Sequence, residues 1–484
     1  MTTALPPPCD ESIATTSAAQ PCVNKEGTLA ATILGSSLAF VVGSIINVAL
    51  PAMQASFSTD ATGAQWIVNA YLLPLGALAL TGGALGDHYG RKRIFLIGLV
   101  VFTLACLACA VAPTLGFLLV ARAVQGIGAA LLAPNSLAIL AAGFSGEARG
   151  KAVGTWAAAG AMASAIAPVL GGVLVDMANW RWAFIVVVPP AAAAFLIGRA
   201  AITETREKQA KAAPLDWSGA ALATGALSAI TWALIAFPAR GATAPPVLLA
   251  FITGSVLVFV FLAMEYRKGD RAMLPLVLFS TTSFTGISLL TLFLYTALGG
   301  LLVLLPYTLI EAFGFSATQA GAAILPFPLV MAVLSRYTGG VAGRVSARVL
   351  LTIGPLVVAA GFALLARVAV LDFSYWSDML PALLIMAVGM AASVAPLTTA
   401  VMNSVPDAYT GVAAGINNAI ARSAGLIATA LLGLVLINAK SVPESLVVGF
   451  ADASLVGAGL AAASAIAAAL LIRAGNEERM QSDR

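Results

Sequence analysis

Histidine is almost missing from this chain: His88 is the single one among 484 residues. That excludes a site built from several histidines and argues against an enzyme of that kind. Charge is scarce as well. Charged residues make up 10% and hydrophobic ones 60%, whereas an ordinary soluble domain carries about 25% charged residues. A water-soluble fold of this size has no means of hiding so much apolar surface, and lipid is the solvent that suits it. The small net charge of +4 falls in loops, with no basic stripe interleaved with aromatics, which excludes nucleic acid as a partner. The 4 cysteines make no disulfide or metal framework. Cys9 and Cys22 lie in the N-terminal tail, and Cys106 and Cys109 sit one turn apart in an apolar run, where small buried thiols are at home. Residues 1–27 do not resemble a signal peptide, and an uncleaved first helix is expected behind them. Asp10 and Glu11 occupy the place of a positive n-region, and the apolar run after Thr28 is too long for an h-region.

What the chain does have is long charge-free runs. Each membrane-spanning helix needs about 20 residues, and about fourteen runs qualify. They lie near residues 28–53, 64–86, 94–111, 117–138, 152–175, 182–197, 217–237, 246–264, 284–309, 318–335, 349–368, 380–401, 411–436 and 453–472. Backbone groups in lipid must be satisfied internally, so these runs are helices.

An even number of spans puts both termini on one side. Of the 25 Lys and Arg, only Arg181, Arg240, Arg367 and Lys440 fall in loops on the other side, with Arg122 and Arg422 inside spans. The positive-inside rule then makes both termini cytoplasmic.

The chain also repeats itself. GAALLAP ending at Pro134 resembles MAASVAP ending at Pro396, and GKAVGTW from Gly150 resembles GVAAGIN from Gly411, at nearly the same offset. This points to a parallel duplication of a six-helix unit, an architecture in which a cavity lies between the halves. Chance similarity among Ala/Gly-rich helices is the competing explanation. The reading divides the chain into a cytoplasmic tail (1–27), a six-helix half (28–200), a linker with two inserted helices (201–271), a second six-helix half (272–474) and a closing tail (475–484).

The most specific motif is the stretch 83–93, GALGDHYGRKR, between the second and third spans. Gly83 permits close helix approach, and Gly90 suits a tight turn. Asp87 can face a helix N-terminus or a neighbouring arginine, and Arg91 holds the loop at the inner surface. A charge-paired loop that forms in one conformation and breaks in the other is a gate. A positive-inside anchor with a turn reads the same residues without gating.

Further along stand Asn47-Val-Ala-Leu-Pro51, Arg122-Ala-Val-Gln-Gly126, Trp180-Arg-Trp-Ala-Phe184 and Asp216-Trp-Ser-Gly219. With the loop at Gly83, Leu85, Asp87, Gly90 and Arg91, they resemble the major facilitator superfamily, in its fourteen-helix drug:proton antiporter branch, over nearly the whole chain. The resemblance implies an all-α integral membrane protein with the major facilitator fold, built as two six-helix halves plus two inserted helices. It implies a secondary active transporter of the bacterial inner membrane that exports amphiphilic, drug-like molecules by alternating access. The proton gradient is then the energy source. Cofactors are not expected. The expected partners are the cargo and the bilayer; the chain is expected to be a monomer, and the sequence does not mark a periplasmic adaptor.

Arg122 is a charge inside an apolar span, with Gln125 on the same face. The resemblance implies a role in proton coupling. A structural arginine capped by carbonyls or polar side chains is the other reading. In the fifth span Gly160, Ser164, Pro168 and Gly172 form one ridge of small residues, and Ala163, Ala167 and Gly171 form a second. This resembles the antiporter motif, with Ala167 where glycine is usual before Pro168; tight packing alone also explains it. Asn417, Asn418 and Arg422 form a polar patch in the thirteenth span, facing either cargo or a neighbouring helix. Asn47, with Trp66, Tyr71, Trp156, Phe293 and Tyr295, completes the cargo-pocket candidates. Those aromatics line a pocket for planar cations or simply pack.

The sequence departs from the family in its acids. Val42 stands where the branch usually carries an aspartate, Val187 replaces an asparagine, and Gly343 stands where the second copy of the loop would carry an acid. The middle of every predicted span lacks Asp and Glu, which leaves Asp87, Asp176, Glu265 and Glu311 near span ends. Arginine does not titrate usefully near neutral pH. Either an end-placed acid serves a proton-coupled cycle, or coupling is weak, altered or absent. A metabolite or lipid exporter without such coupling, and a non-transporting sensor on the same fold, are the alternatives.

Overall fold

Helices begin where a polar side chain precedes an apolar run. Asn24, Asp60, Thr114 and Asp216 each accept a hydrogen bond from a backbone N–H three residues on, supplying the partner that a first-turn amide lacks. The computed structural model describes residues 24–205, 216–269, 272, 274–341, 345–368, 373–406, 409–436 and 443–472. The terminal tails with Cys9 and Cys22, the middle of the charged linker, and Gly343 lie outside the described residues.

The first half comprises α1 (Lys25–Ser56), α2 (Ala61–Tyr89), α3 (Arg91–Ala110), α4 (Leu115–Gly143) and α5 (Gly146–Met177), then a sixth span broken into α6 (Trp182–Ile185) and α7 (Val188–Ala201). Two inserted helices follow, α8 (Trp217–Arg240) and α9 (Pro245–Lys268). The second half comprises α10 (Thr282–Glu311), the broken pair α11 (Ala317–Ile324) and α12 (Pro326–Val341), α13 (Ala347–Leu365) and α14 (Leu380–Asn403). It ends with α15 (Thr410–Leu431), the short α16 (Gly433–Leu436) and α17 (Pro443–Leu471). The break before Pro326 removes a backbone donor in mid-span.

Among the described residues thirteen helices are long and apolar enough to cross a membrane. The fourteenth span is α15, whose Asn417, Asn418 and Arg422 dilute its apolar character. Large apolar side chains such as Leu104, Val120, Leu196, Phe259 and Leu470 are exposed on the outside, as a surface solvated by lipid requires.

The packing repeats as the sequence does. In the first half α1 packs on α5 and α7, α4 on α2 and α3, and α3 on α7. In the second half α10 packs on α15 and α17, α14 on α12 and α13, and α13 on α17. The halves meet where α5 touches α11, α15 touches α2 and α1 touches α10. The α8–α9 hairpin leans on α2 and α15 through α8. Below, the near face is the one where α1 begins and α17 ends; the far face is the other.

One boundary moves. The last span begins at Pro443 and not near residue 453. Asp452 is therefore inside a helix, with nine residues of α17 before it. The expectation that no span carries an internal acid is wrong at this position. A boundary drawn one residue after Asp452 hid it.

Candidate functional site

A cavity of about 470 Å³ lies between the halves. Phe40, Ser44, Asn47 and Val48 of α1 and the Trp156–Pro168 stretch of α5 form one wall. Tyr295, Leu298 and Leu302 of α10, with Phe327, Met331 and Met390, form the other. The wall is apolar and aromatic with a few hydroxyls and one amide. Among the described residues no carboxylate lines it.

The two small-residue ridges of α5 have separate tasks. On the first, Gly160 and Pro168 line the cavity, and Ser164 Oγ lies 3.0 Å from Ser44 Oγ of α1. The same ridge carries Gly172 against α11, where an added Cβ would lie 2.3 Å from the Ala317 carbonyl oxygen. Gly321 is the reciprocal contact, with Pro168 O at 2.3 Å. On the second ridge Gly171 and the buried Ala167 pack on Ile45 of α1. Gly150 and Gly154, further towards the near face, are exposed, and nothing lies within 4 Å of an added Cβ at either.

Hydrogen bonds between the halves cluster at the far face. Both oxygens of Asp176 accept from the first amides of α11, Ala317 N at 3.1 Å and Thr318 N at 2.8 Å. Tyr307 donates to Gln54 Oε1 at 2.9 Å. Gln65 Nε2 donates to the carbonyls of Thr429 and Ala430, at 3.0 and 2.8 Å. Thr429 Oγ1 donates to Asn69 Oδ1 at 2.6 Å. The halves are thus latched at the far face. Sequence reasoning did not single out Gln54, Gln65 or Asn69. Their signal was isolated amides within apolar spans.

Trp156, Asn47 and Tyr295 line the cavity, and Trp156 donates to Ser36 Oγ at 2.6 Å. The other candidates do not. Tyr71 is 1% exposed, with its hydroxyl donating to Ala39 O. Trp66 and Phe293 are half-buried outside the cavity wall. Asn417 accepts from Thr291 of α10 at 2.7 Å, a bond between helices of one half. Asn418 is exposed and off the cavity. Arg422 stands just behind the wall, its guanidinium 5.4 Å from the Phe40 ring. Helical periodicity showed which residues share a face but not which neighbour that face meets.

Arg122 is 1% exposed and also lies off the cavity. Its Nε donates to Ile67 O at 3.1 Å and its Nη1 to Gln125 Oε1 at 2.6 Å. The guanidinium lies 4.5 Å from the Tyr71 ring centroid and 5.9 Å from that of Phe184. Gln125 in turn donates to Cys106 Sγ at 2.9 Å. Among the described residues neither Arg122 nor Arg422 pairs with a carboxylate. Carbonyl, amide and aromatic faces offset the Arg122 charge within one half. Val42 is fully buried and does not line the cavity, so an aspartate there would enter a packed core.

At the near face Asp87 pairs with Arg91 in its own loop, Oδ1 to Nη2 at 2.7 Å. Gly90 has φ +113°, and an added Cβ would lie 2.6 Å from Glu204 Cδ. The turn therefore needs glycine on both counts. Glu204 accepts from the amides of Lys92 and Arg93, each at 3.1 Å, and so caps α3. Close approach of α2 to α4 falls to Gly82 and Gly86, against Ala130 and Asn135. At Gly83 a Cβ would meet Pro134 at 3.5 Å, an ordinary contact, which corrects the expectation for that residue.

A second charged group sits at the near end of the inserted hairpin. Lys268 Nζ reaches Asp216 Oδ1 at 2.5 Å and Glu265 Oε1 at 3.6 Å. Glu265 is fully buried and accepts from Leu274 N at 2.6 Å. Partial burial alone would raise the Asp216 carboxyl; hydrogen bonds from Lys268 and the Gly219 amide outweigh it and hold it down at about 2.

Comparison with known proteins agrees with this architecture. Residues 32–429 match the family model described as Major Facilitator Superfamily. The multidrug resistance protein Stp of Mycobacterium tuberculosis (strain CDC 1551 / Oshkosh) is 33% identical over 415 residues, 84% of this chain and 75% of that protein. The methylenomycin A resistance protein of Bacillus subtilis (strain 168) is 33% identical over 405 residues, 83% of this chain and 86% of its own. Among solved structures, a bacterial homolog of the human lysosomal transporter Spinster, inward-facing and occupied, superposes with TM-score 0.64. It shares 14% identity and covers 94% of this chain and 98% of that one. Latched halves around a cavity, the loop at Asp87 and these relatives converge on one conclusion: the chain belongs to the Major Facilitator Superfamily.

Proposed function

We propose that the chain exports amphiphilic, drug-like small molecules by alternating access, with the near face in the cytoplasm of a bacterial inner membrane. The observation that carries this reading is the cavity of about 470 Å³ between halves whose hydrogen bonds, among the described residues, cluster towards the far face. That is the form of an inward-facing state, in which cargo enters from the side of most Lys and Arg. The names of the relatives, multidrug and antibiotic resistance proteins, support the cargo class.

Export requires the far-face latch to break and the near face to close. The loop at Gly83, Asp87, Gly90 and Arg91 is the near-face gate in this reading. Asp176 is the far-face counterpart: a proton on its carboxylate would weaken its hold on the α11 amides and favour opening outward. Asp176 sets only the far-face equilibrium; a proton taken up and released at one face crosses nothing, so a proton-driven cycle needs a further titratable group that both faces reach in turn. Arg122 and Gln125 then stiffen the first half rather than carry the proton.

The cargo follows from the wall. Trp156, Tyr295, Phe40 and Phe327 offer flat apolar surface, and Asn47, Ser44 and Ser164 offer hydrogen bonds. With no carboxylate among the described residues of the wall and Arg422 behind Phe40, neutral and anionic amphiphiles are favoured over cations at this site. Efflux of a neutral and a cationic fluorescent dye from pump-deficient cells, with and without a protonophore, tests both parts. Export of neither dye, with expression confirmed, overturns the drug-export reading. Export that a protonophore leaves untouched overturns the coupling.

A further inference from the structure

The second half holds another cavity, of about 540 Å³, walled by α10, α13, α15, α16 and α17. It shares no lining residue with the central cavity, and α10 stands between the two. Thr296, Gly300 and Leu304 face this one, whereas Tyr295, Leu298 and Leu302 face the central one. We propose that it is a separate binding site for a monovalent lipophilic cation, with Asp452 of α17 as the counter-charge.

Four observations carry the assignment. First, the volume suits a small-molecule ligand, for which pockets run roughly 300–1,000 Å³. Second, Asp452 is the one carboxylate among the described residues that lies more than a turn from a helix end within a span. An ionisable group at such a place is costly in lipid and marks function by default. Third, among the described residues no Lys or Arg lines the cavity. The hydroxyls of Thr296 and Ser454 donate to their own helices, to Leu292 O at 2.7 Å and Phe450 O at 2.8 Å. Their protons are committed, so they turn lone pairs to the cavity, which disfavours an anion. Fourth, the site is reached from lipid. Val448, Asp452 and Val456 are one helical turn apart on the exposed stripe of α17, and all three line the cavity. A cation with apolar bulk dissolves in the bilayer and enters sideways, its bulk against Leu301, Leu304 and Phe362.

Gly300 supplies the means of closing it. An added Cβ there meets nothing within 4 Å, so a larger side chain starts into open space and takes up volume of the cavity. The test is equilibrium binding of labelled tetraphenylphosphonium, and of tetraphenylborate as its anionic counterpart, to the full-length protein in lipid nanodiscs. Wild type is compared with Asp452→Asn and Gly300→Leu, all also in a Gly160→Leu background that fills the central cavity. Thermal unfolding confirms that each variant is folded. Tetraphenylphosphonium affinity is expected to fall at least tenfold in Asp452→Asn and to be lost in Gly300→Leu. Tetraphenylborate is expected to gain, not lose, from Asp452→Asn, and Gly160→Leu is expected to leave the phosphonium site intact. Unchanged phosphonium binding in Asp452→Asn and Gly300→Leu overturns the proposal. So does loss of both ions in Gly300→Leu with no effect of Asp452→Asn, because that describes a neutral apolar pocket.

Discussion

Asp176, in the last turn of α5, caps α11 of the other half, its carboxylate accepting from the amide of Thr318 at 2.8 Å. A negative charge set against a helix N-terminus is worth about 0.3–1 kcal/mol when exposed. Here it also joins two rigid bodies. Asp176→Asn should shift the population toward the outward-facing state. Cysteine labelling at Leu298→Cys in the cavity wall from the far side should rise several-fold in the Asp176→Asn background; equal labelling would remove Asp176 from the latch.

Gly172 and Gly321 should tolerate nothing larger. A methyl at either meets a backbone carbonyl oxygen of the opposite half at 2.3 Å, and overpacking of this kind costs about 1–3 kcal/mol. Gly172→Val should hold the far face apart and abolish export while the protein still folds. Full export by this variant would show that the α5–α11 contact is not part of the cycle.

Arg122 gives opposite expectations under its two readings. As a packing element, Arg122→Lys loses the fork to Ile67 and Gln125 and the stacking on Tyr71, and should lower stability by about 2 kcal/mol. As a proton relay, the same variant would keep its melting temperature and lose only the protonophore-sensitive part of export. Thermal unfolding in detergent, read beside dye efflux, separates the two; the buried geometry predicts the first result.

The Asp216–Lys268 pair predicts a pH dependence. The Asp216 carboxyl lies at about 2 in the folded protein, below its ordinary value of 3.8. Its contribution is therefore complete above about pH 4 and lost as pH falls through about 2. Wild type should lose more thermal stability than Asp216→Asn across that window, and the two curves should run parallel above it. A divergence at roughly pH 5–8 would place the effect elsewhere.

Trp156→Ala should enlarge the cavity and free Ser36 Oγ. Export of bulky aromatic dyes should weaken about tenfold in apparent affinity, with small dyes less affected. An equal effect on all dyes would point to a packing role for Trp156.

The helices and their order were legible because lipid imposes the simplest of sequence rules, an apolar run of sufficient length. Duplication was legible at Pro134 and Pro396, and it returns as repeated helix pairs. Cavity residues were legible only in part. Trp156, Asn47 and Tyr295 line it, whereas Tyr71 and Asn417 do not. A polar or aromatic residue in a span reports that it needs a partner but not whether that partner is cargo, carbonyl or hydroxyl. Asp452 escaped because hydropathy falls at an acid, so a span boundary drawn by hydropathy retreats from the residue that matters most.

The polarity of α15 also bears on how the protein is made. Its asparagines and its arginine leave it outside the thirteen segments apolar enough to span by composition, and insertion machinery sorts segments to lipid by that quantity. A nascent α15 therefore depends on helices already in place, α10 foremost, whose Thr291 meets Asn417. In a glycosylation-mapping assay α15 alone should translocate, and α10 supplied ahead of it should retain it. The second half then acquires its interior in order of synthesis, and a chain stalled before α10 has docked is a substrate for quality control.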